Sequence, residues 1–266
     1  TMSTSDIPYW WEDPDPERAL AKYLRSRDNP YGRWKSWSVR KLIPLPGGER
    51  LALDYGCGGG EFTVYLAELG WRVVAADASL HALNACRVHV QRTGQENRVT
   101  FVEASPPDYW KELHGQHFEL ILAKDVIEHI QDDIRFLIEV RKHLSPRGIA
   151  VVVTQNDYSW NFRLQAPTAL AENPTWCGWD PTHVRFYNVP TLRGKLAYAG
   201  LEPIKWRSAY LIPYMAWKWK PARLFRQVVE RTLGPGAFYV PERLLGSCWP
   251  FYYWGWSLAV VCRVRA

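Results

Sequence analysis

The sequence predicts an α/β fold in which helices cover both faces of a doubly wound, mostly parallel, seven-stranded sheet. Two observations support this prediction. From residue 49 onward, short apolar runs rich in β-branched residues alternate with amphipathic helical segments. One of these units, LALDYGCGGGEF at residues 51–62, joins a buried strand to a helix through a turn with four glycines. Glycines in such a turn permit positive φ angles and let backbone N–H groups approach a nucleotide.

The remaining core elements are predicted in order along the chain. Strands are expected at residues 71–77, 99–103, 118–123, 149–154, 201–206 and 256–264. Helices are expected at residues 61–69, 80–92 and 133–144, and a short helix begins after the capping residue Asn188. The strands are continuous apolar runs, which is typical of parallel strands buried on both faces.

The chain divides into four segments, and its 266 residues fit one decorated domain. Only Trp71 and Trp110 of the 15 tryptophans lie between residues 49 and 150, so aromatic enrichment marks the appendages and not the core. The expected segments are an N-terminal helical extension or lid at 1–48 with helices at 16–27 and 33–43, a core at 49–206, an aromatic and basic insertion at 207–250, and a final core strand at 251–266.

The cysteine and hydropathy patterns exclude several classes of protein. Five scattered cysteines without a C-x-x-C pair argue against a disulfide framework and a zinc site, so no metal is expected. Reduced thiols indicate a cytoplasmic protein. No apolar run approaches the ~20 residues of a membrane span, and the polar stretch at residues 5–18 does not look like a secretory signal.

The insertion at residues 207–250 carries a concentrated positive charge. Between residues 205 and 243 there are eight basic and two acidic residues, an excess equal to the formal net charge of the whole chain, +6. From residue 221 onward an amphipathic helix is expected, with tryptophans, tyrosines and arginines around it. This composition suits a lid over a pocket, a peripheral membrane contact or a nucleic-acid surface.

The glycine turn does not follow the dinucleotide pattern G-x-G-x-x-G, because Glu61 stands where the third glycine would fall. The turn has the form Asp-x-Gly-Cys-Gly-x-Gly, which resembles motif I of the class I S-adenosylmethionine-dependent methyltransferases. The resemblance implies S-adenosyl-L-methionine as cofactor, with Asp54 helping to hold its amino group. It also implies a loop against the methionine part of the cofactor, formed by Gly56, Cys57, Gly58 and Gly60.

Two further strand ends are expected to contact the cofactor. Asp77 ends the second strand, 23 residues after Asp54. A carboxylate at about this offset accepts hydrogen bonds from ribose hydroxyls, with Ala78 beside it; alternatively, Asp77 only initiates the helix near Ser79. In the resembled family the third strand ends with an Asp near the adenine. Ser105 stands at that position, so Ser105, or Glu103 nearby, is expected there.

The segment FELILAKDVIEHI at residues 118–130 is similar to the family's fourth strand and its exit. Because ligands bind at the carboxyl ends of strands in an open α/β sheet, Ala123, Lys124 and Asp125 are expected at the mouth of the active site. Asp125 is placed to contact the acceptor or the methionine part of the cofactor. His129 is a candidate general base, since imidazole titrates near neutrality; the alternative is a structural histidine.

The segment THVRFYN around His183 resembles the family's H-x-R-x-(F/Y) segment. His183 is therefore a second candidate base, and the alternative is that it pins the loop. Asp125 completes the set of candidate catalytic residues. The expected substrate pocket consists of Tyr158, Asn161 and Tyr187 with Trp10, Trp11, Trp34 and Trp37 from the extension.

The resemblance is closest to the broad group that contains ubiquinone, menaquinone and natural-product methyltransferases. It implies in-line methyl transfer to a hydroxyl, or to an amine, of a small apolar or aromatic molecule. Two alternatives are a lipid- or quinone-modifying methyltransferase docked on a membrane and a non-catalytic binding module. Nucleic acid is disfavoured, because residues 124–127 lack the Asn/Asp-Pro-Pro-Tyr/Phe motif of enzymes that methylate base amino groups.

Overall fold

Alternating strands and helices occupy most of the chain in the computed structural model, which describes residues 9–106, 108–178, 180–212, 220–234, 237 and 240–265. The strands are β1 (Leu51–Tyr55), β2 (Arg72–Asp77), β3 (Val99–Glu103), β4 (Phe118–Lys124), β5 (Leu144–Gln155), β6 (Leu201–Ala209) and β7 (Ser257–Val264). The helices are α1 (Pro16–Arg27), α2 (Pro30–Arg40), α3 (Glu61–Glu68), α4 (Leu80–Arg92), α5 (Asp133–His143), α6 (Trp160–Glu172), α7 (Val189–Tyr198), α8 (Lys220–Leu233) and α9 (Val240–Leu245).

The sheet has the strand order β3-β2-β1-β4-β5-β7-β6. The first five strands are parallel, and β7 runs antiparallel to both β5 and β6. The predicted fold class, a doubly wound and mostly parallel seven-stranded sheet, is therefore confirmed. The order of strands along the chain reverses between β1 and β4, and the carboxyl ends of these two strands form the crevice where such sheets bind ligands.

Helices cover both faces of the sheet, and β4 contributes alternate residues to the two layers. Ile121 is buried in the cluster that contains Leu137 of α5. Leu122 is buried in the cluster that contains Phe62 of α3. Strands buried on both faces are apolar at every position, which explains why the runs in the sequence are continuous.

The structure differs from the sequence prediction in the segment after β5. No helix is predicted between residues 155 and 187, whereas α6 occupies Trp160–Glu172. Ser159 caps this helix, because its Oγ accepts a hydrogen bond from the backbone N–H of Phe162. The helix contains Pro167 and has no strong apolar stripe, so the periodicity that reveals a helix is missing.

The N-terminal extension packs across the edge of the core. Leu20 and Tyr23 of α1 are buried against Ala85 of α4. Trp34 of α2 is buried against Tyr210, which follows β6, the strand at the opposite edge of the sheet from β3. The extension therefore joins two regions of the core that lie far apart in the sequence.

The insertion is anchored through α9. The buried carboxylate of Glu242 accepts hydrogen bonds from the backbone N–H groups of Tyr210 (3.2 Å) and Ile212 (2.7 Å). The Arg243 guanidinium lies over the ring of Trp37 on α2, at 5.2 Å from its centroid. By contrast, α8 has no buried residue. No helix within the described residues is both long and apolar enough to span a membrane.

Candidate active site

The glycine turn after β1 adopts the left-handed backbone that its sequence predicts. Gly56 and Gly58 have φ angles of 75° and 54°. A Cβ on Gly56 would lie 2.3 Å from Cγ2 of Val126, so the fourth strand's exit leaves room only for glycine. The turn is closed by the backbone N–H groups of Gly56 and Cys57, which both donate to the carbonyl oxygen of Ala76, at 2.7 and 3.0 Å.

Asp77 holds this turn in place from the end of β2. Its Oδ2 accepts a hydrogen bond from the backbone N–H of Gly58 (2.8 Å), and its Oδ1 accepts one from Ser79 (2.9 Å). The side chain of Ser79 in turn caps α4. Burial raises the pKa of Asp77, while these backbone donors act against the shift. The helix-initiating role is therefore present, and contact with a ribose remains a prediction.

A cavity of about 910 Å³ opens at this edge of the sheet. Its volume is near the upper end of the range of roughly 300–1,000 Å³ that is usual for ligand sites. The core contributes cavity-lining residues from the glycine turn, the strand ends and the turns that follow them. The extension contributes Trp10, Trp11, Tyr23, Arg27 and Lys35.

Asp54 lies at the floor of the cavity and is buried. Thr63 donates a hydrogen bond to its Oδ2 at 2.6 Å. Burial raises the pKa of Asp54 to about 7, although the Thr63 hydroxyl and the nearby Lys124 act against this shift. A cationic ligand group would favour the ionised carboxylate. The glycine cradle and this carboxyl thus fit the amino group of the cofactor that the motif implies.

Asp125 follows β4 in a left-handed conformation, with φ of 57°. The ammonium of Lys35 lies 2.6 and 2.7 Å from its two carboxylate oxygens, and that of Lys124 lies 2.9 Å from Oδ2. Burial alone would raise the pKa of Asp125, but the two lysines hold it well below its usual range. Burial, with the nearby Arg27, lowers the pKa of Lys124 to about 8. Lys35 was not predicted as a site residue, and it lies 90 residues away from Asp125 in the chain.

His129 belongs to a hydrogen-bonded chain on the cavity wall. Its Nδ1 lies 2.8 Å from the hydroxyl oxygen of Thr182, and that hydroxyl lies 2.5 Å from Oδ1 of Asp180. Although burial opposes ionisation, hydrogen bonds from the side chain and backbone of Thr182 hold the pKa of Asp180 below its usual range. The ring of His183 packs edge-on against His129, with centroids 4.7 Å apart. Burial and then the neighbouring His129 lower the pKa of His183.

Glu128 lies beneath these histidines and is fully enclosed. Its backbone carbonyl accepts a hydrogen bond from Val184 at 2.9 Å, which draws the loop carrying His183 against the exit of β4. Thr154 donates to its Oε2 at 2.9 Å. Burial raises the pKa of Glu128 to about 8, with the charge of Asp125 adding to the shift.

The sequence predicted no metal, yet the structure brings together three groups that could hold one. A carboxylate oxygen of Glu128 and ring nitrogens of His129 and His183 lie within 4.8 Å of one another. Carboxylate and imidazole are common ligands of divalent cations. Because the Glu128 carboxyl is mostly protonated at neutral pH, a cation that binds there has to displace that proton.

Several predicted site residues lie at the cavity wall. Asp54, Asp77, Lys124 and Asp125 do so, as do three of the four candidate positions in the glycine turn and the two candidate histidine bases. The full set is Trp10, Trp11, Asp54, Gly56, Cys57, Gly58, Asp77, Ala78, Lys124, Asp125, His129 and His183.

Three residues predicted to bind the cofactor are not among the described residues that line the cavity. Ala123, a residue of β4, is buried in the hydrophobic core. Gly60 caps α3, and a Cβ there would point at Sγ of Cys86 on α4, 2.7 Å away. Ser105 is not part of the cavity wall formed by the described residues, whereas Ala104 and Asp108 on either side of it are.

The predicted substrate pocket needs a larger correction. Trp34 and Trp37 stack on each other, with centroids 4.8 Å apart, on the side of α2 that faces β6 and α9. The neighbouring Lys35 is the residue that enters the cavity, because successive helical residues point about 100° apart. These tryptophans therefore stabilise the extension and do not line the site.

The residues predicted after β5 also lie away from the cavity. Tyr187 is fully buried, and its hydroxyl donates to Oδ2 of Asp133 at 2.7 Å. Asn161 is buried in the first turn of α6, and Tyr158 is at the surface, where the guanidinium of Arg163 lies over its ring. No described residue of the insertion lines the cavity, so the predicted roof consists of the N-terminal extension without the described part of 207–250.

Comparisons with known proteins agree with the fold and the motif. Residues 29–205 match a family model described as a methyltransferase domain. A ubiquinone biosynthesis O-methyltransferase of Parvibaculum lavamentivorans is 32% identical over 207 residues, which cover 73% of this chain and 76% of that protein. One from Roseobacter denitrificans is 30% identical over 174 residues, covering 63% of this chain and 66% of that protein, just under two thirds of its length.

Solved structures show the same fold at low sequence identity. A putative methyltransferase in complex with the Haloferax volcanii Trm112 activator has a TM-score of 0.61 and 14% identity, covering 96% of this chain and 99% of that chain. A possible histamine N-methyltransferase of Thermotoga maritima has a TM-score of 0.57 and 17% identity, covering 94% of this chain and 98% of that chain.

Proposed function

The chain belongs to the class I S-adenosylmethionine-dependent methyltransferases, and from this premise we propose that it methylates a hydroxyl group of a small apolar or aromatic molecule. One observation carries the proposal. The glycine turn, with its carboxylates Asp54 and Asp77, opens on the same cavity as the chain of His129, Thr182 and Asp180. A donor site and a candidate base thus share one enclosed space.

The residues that would hold S-adenosyl-L-methionine are those of the glycine turn with Asp54 and Asp77. The bound cofactor supplies an electrophilic methyl group on a sulfonium. The chain itself provides alignment, since in-line displacement depends chiefly on how the acceptor is oriented and on the exclusion of water. Trp10, Trp11 and Tyr23 from the extension line the cavity, and their rings would help to exclude water from a bound cofactor.

Hydrogen bonding assigns the tautomer of His129. Thr182 has a single hydroxyl proton, which it donates to the ionised carboxylate of Asp180 at 2.5 Å. Its oxygen therefore accepts a hydrogen bond from Nδ1–H of His129 at 2.8 Å. The other ring nitrogen, Nε2, is left with a lone pair, as a general base for an acceptor hydroxyl requires.

Two observations support the proposed acceptor class, one from the cavity wall and one from the relatives. Aromatic side chains are prominent on the wall, namely Trp10, Trp11, Tyr23, Tyr55, Phe62, Tyr109, Trp110 and Phe136. Such walls favour apolar or aromatic ligands. The relatives' names specify O-methylation in ubiquinone biosynthesis, which supports a hydroxyl over an amine as the methylated group.

A second candidate function is methylation of a lipid or quinone by an enzyme docked on a membrane from the cytoplasm. The names of the relatives and the exposed apolar face of α8 favour it. A non-catalytic module that binds the cofactor is the remaining alternative. The membrane-docked enzyme requires binding to a lipid surface, and the non-catalytic module requires cofactor binding without methyl transfer, so measurement can distinguish both from the first proposal.

The test uses the purified chain with radiolabelled S-adenosylmethionine and a panel of phenols that carry apolar side chains, each beside the matched aniline. We expect label in the phenols, and a His129→Gln variant should lower kcat by about 10²–10⁴-fold. Calorimetry with S-adenosylmethionine and S-adenosylhomocysteine separates the alternatives. Binding without transfer would support the non-catalytic module, and absence of binding by both ligands would overturn the proposal.

A further inference from the structure

Helix α8, Lys220–Leu233, places its apolar residues toward solvent. Leu224 is 63% exposed, Val228 is 52% exposed and Leu233 is 73% exposed. Leu224 and Val228 are four residues apart and therefore share one helical face. No residue of α8 is buried, whereas α1, α3, α4 and α5 all bury part of an apolar face. An exposed apolar surface of this kind on a globular protein marks a site of contact with another molecule or a membrane.

The polar side of α8 is basic. The helix contains four basic residues and one acidic residue. Glu230 pairs with Arg226 at 2.9 Å, so the basic residues outside this pair are Lys220, Arg223 and Arg231, and all three are exposed. An apolar face flanked by uncompensated positive charge is the composition of helices that lie in the interface of an anionic bilayer.

The chain that follows α8 continues this surface character. Leu244 of α9 is 72% exposed, and Trp249 beyond it is 75% exposed. Exposed tryptophan is well suited to the boundary between lipid head groups and acyl chains. Two copies of the chain that paired through α8 would bring like charges together, which disfavours a second copy as the occupant.

We propose that α8 docks this protein on an anionic lipid surface, with Leu224 and Val228 inserted and Arg223 and Arg231 on lipid phosphates. The docking surface lies outside the cavity, because no described residue of 207–250 lines it. Docking and methyl transfer are consequently separable. Arg243 of α9, later in the same insertion, lies over Trp37 of α2, the helix that also carries Lys35.

The experiment is flotation of the full chain with vesicles of phosphatidylcholine alone and of phosphatidylcholine with phosphatidylglycerol. We expect binding to the anionic vesicles that weakens at high salt. The double variant Leu224→Gln/Val228→Gln should lower partitioning by about tenfold or more. Arg223→Gln/Arg231→Gln should remove the preference for anionic lipid, because each substitution should lower binding to the anionic vesicles by about fivefold.

The matched control is Leu45→Gln, which changes a leucine that is 74% exposed in the loop before β1. It should bind vesicles as the wild type does, and calorimetry with S-adenosylhomocysteine should give the wild-type affinity for all variants. The proposal is overturned if the wild type does not float with anionic vesicles, or if Leu45→Gln weakens binding as much as the α8 variants. A dimer that the α8 variants convert to monomer, or binding of duplex DNA that anionic vesicles do not displace, would also overturn it.

Discussion

Lys35 and Asp125 form an ion pair at 2.6 and 2.7 Å although 90 residues separate them in the chain. The lysine comes from α2 of the extension, and the carboxylate follows β4 in the core. Both lie in the wall of the cavity. The N-terminal extension is therefore a structural part of the candidate site and not an appendage beside it.

Loss of this pair should destabilise the fold in a pH-dependent way. We expect Lys35→Met to lower the free energy of unfolding by about 1–3 kcal/mol near neutral pH, because among the described residues it leaves Asp125 in ion-pair contact with Lys124 alone, with Arg27 farther away. Since the folded protein depresses the pKa of Asp125, the pair stabilises the fold above the ordinary carboxyl pKa of about 4. The difference between variant and wild type should therefore shrink as the pH falls below that value.

Urea unfolding of both proteins at several pH values measures this difference. The control is Arg33→Met on the same helix, which removes the pair between Arg33 and Asp28, where both side chains are more than two-thirds exposed. That variant should change stability little. A Lys35→Met effect that is no larger, or that does not depend on pH, would contradict the prediction.

Cofactor binding should release a proton from Asp54. The buried carboxyl has a pKa of about 7 in the free protein, so it is mostly protonated at pH 6. An ammonium group held against it favours the carboxylate and lowers that pKa. Calorimetry with S-adenosylhomocysteine in buffers of different ionisation enthalpy should show close to one proton released at pH 6 and almost none above pH 8. Asp54→Asn should abolish the release; an unchanged release in that variant would assign the proton to another group.

Gly56→Ala should weaken cofactor binding for a steric reason. A Cβ there would meet Val126 at 2.3 Å, in addition to the cost of a positive φ angle. Gly94→Ala is the matched control, because Gly94 also has a positive φ, 68°, but a Cβ there meets nothing within 4 Å. We expect both variants to lose about 1–2 kcal/mol of stability from the backbone. Only Gly56→Ala should weaken binding of S-adenosylhomocysteine, by at least about tenfold; equal binding losses would rule out the steric account.

Thr182 should support catalysis by fixing the tautomer of His129. Thr182→Val removes the hydroxyl that links His129 to Asp180, and we expect kcat to fall by about 10- to 100-fold with little change in KM. Thr182→Ser keeps the hydroxyl and should restore most of the rate. A rise in KM without a fall in kcat would assign Thr182 a role in packing. A Ser variant as slow as the Val variant would do the same.

Any divalent cation that binds among Glu128, His129 and His183 should bind more tightly as the pH rises through about 8. The reason is that the cation has to displace the proton that burial keeps on Glu128. Titration of the chain with Mg²⁺ and Zn²⁺ at pH 6.5 and 8.5 measures this dependence, and Glu128→Gln should weaken it. If a cation raises the methyl-transfer rate and His129→Gln abolishes that effect, His129 acts as a metal ligand and not as the base.

The parts of the molecule that the sequence predicts well are those governed by local rules. The strand ending at Asp54 and the turn through Gly58 follow from apolar runs and from the need for positive φ angles. Asp77 follows from the spacing of a βαβ unit. These features depend on neighbouring residues, and the structure has the strands, the turn and the carboxylates in that arrangement.

The remainder depends on how elements pack, which a single sequence does not encode locally. The tryptophans Trp34 and Trp37 look like pocket residues by composition, but the rotation of α2 directs Lys35 into the cavity instead. Tyr187 lies in a segment that resembles a pocket loop, yet its hydroxyl is needed by buried Asp133. Thr182 and Asp180 gain their importance only because the Glu128 carbonyl draws their loop against His129.

The packing of α2 also constrains the order in which the site can be assembled during synthesis. The extension is made before the core, but the surface that buries Trp34 consists of Ala209 and Tyr210, with Trp256 packed nearby. Helix α2 therefore cannot complete this packing until the chain beyond β6 has been made. The glycine turn is held by β2 and can form earlier, whereas Lys35 lies beside Asp125 on a helix whose packing is completed later.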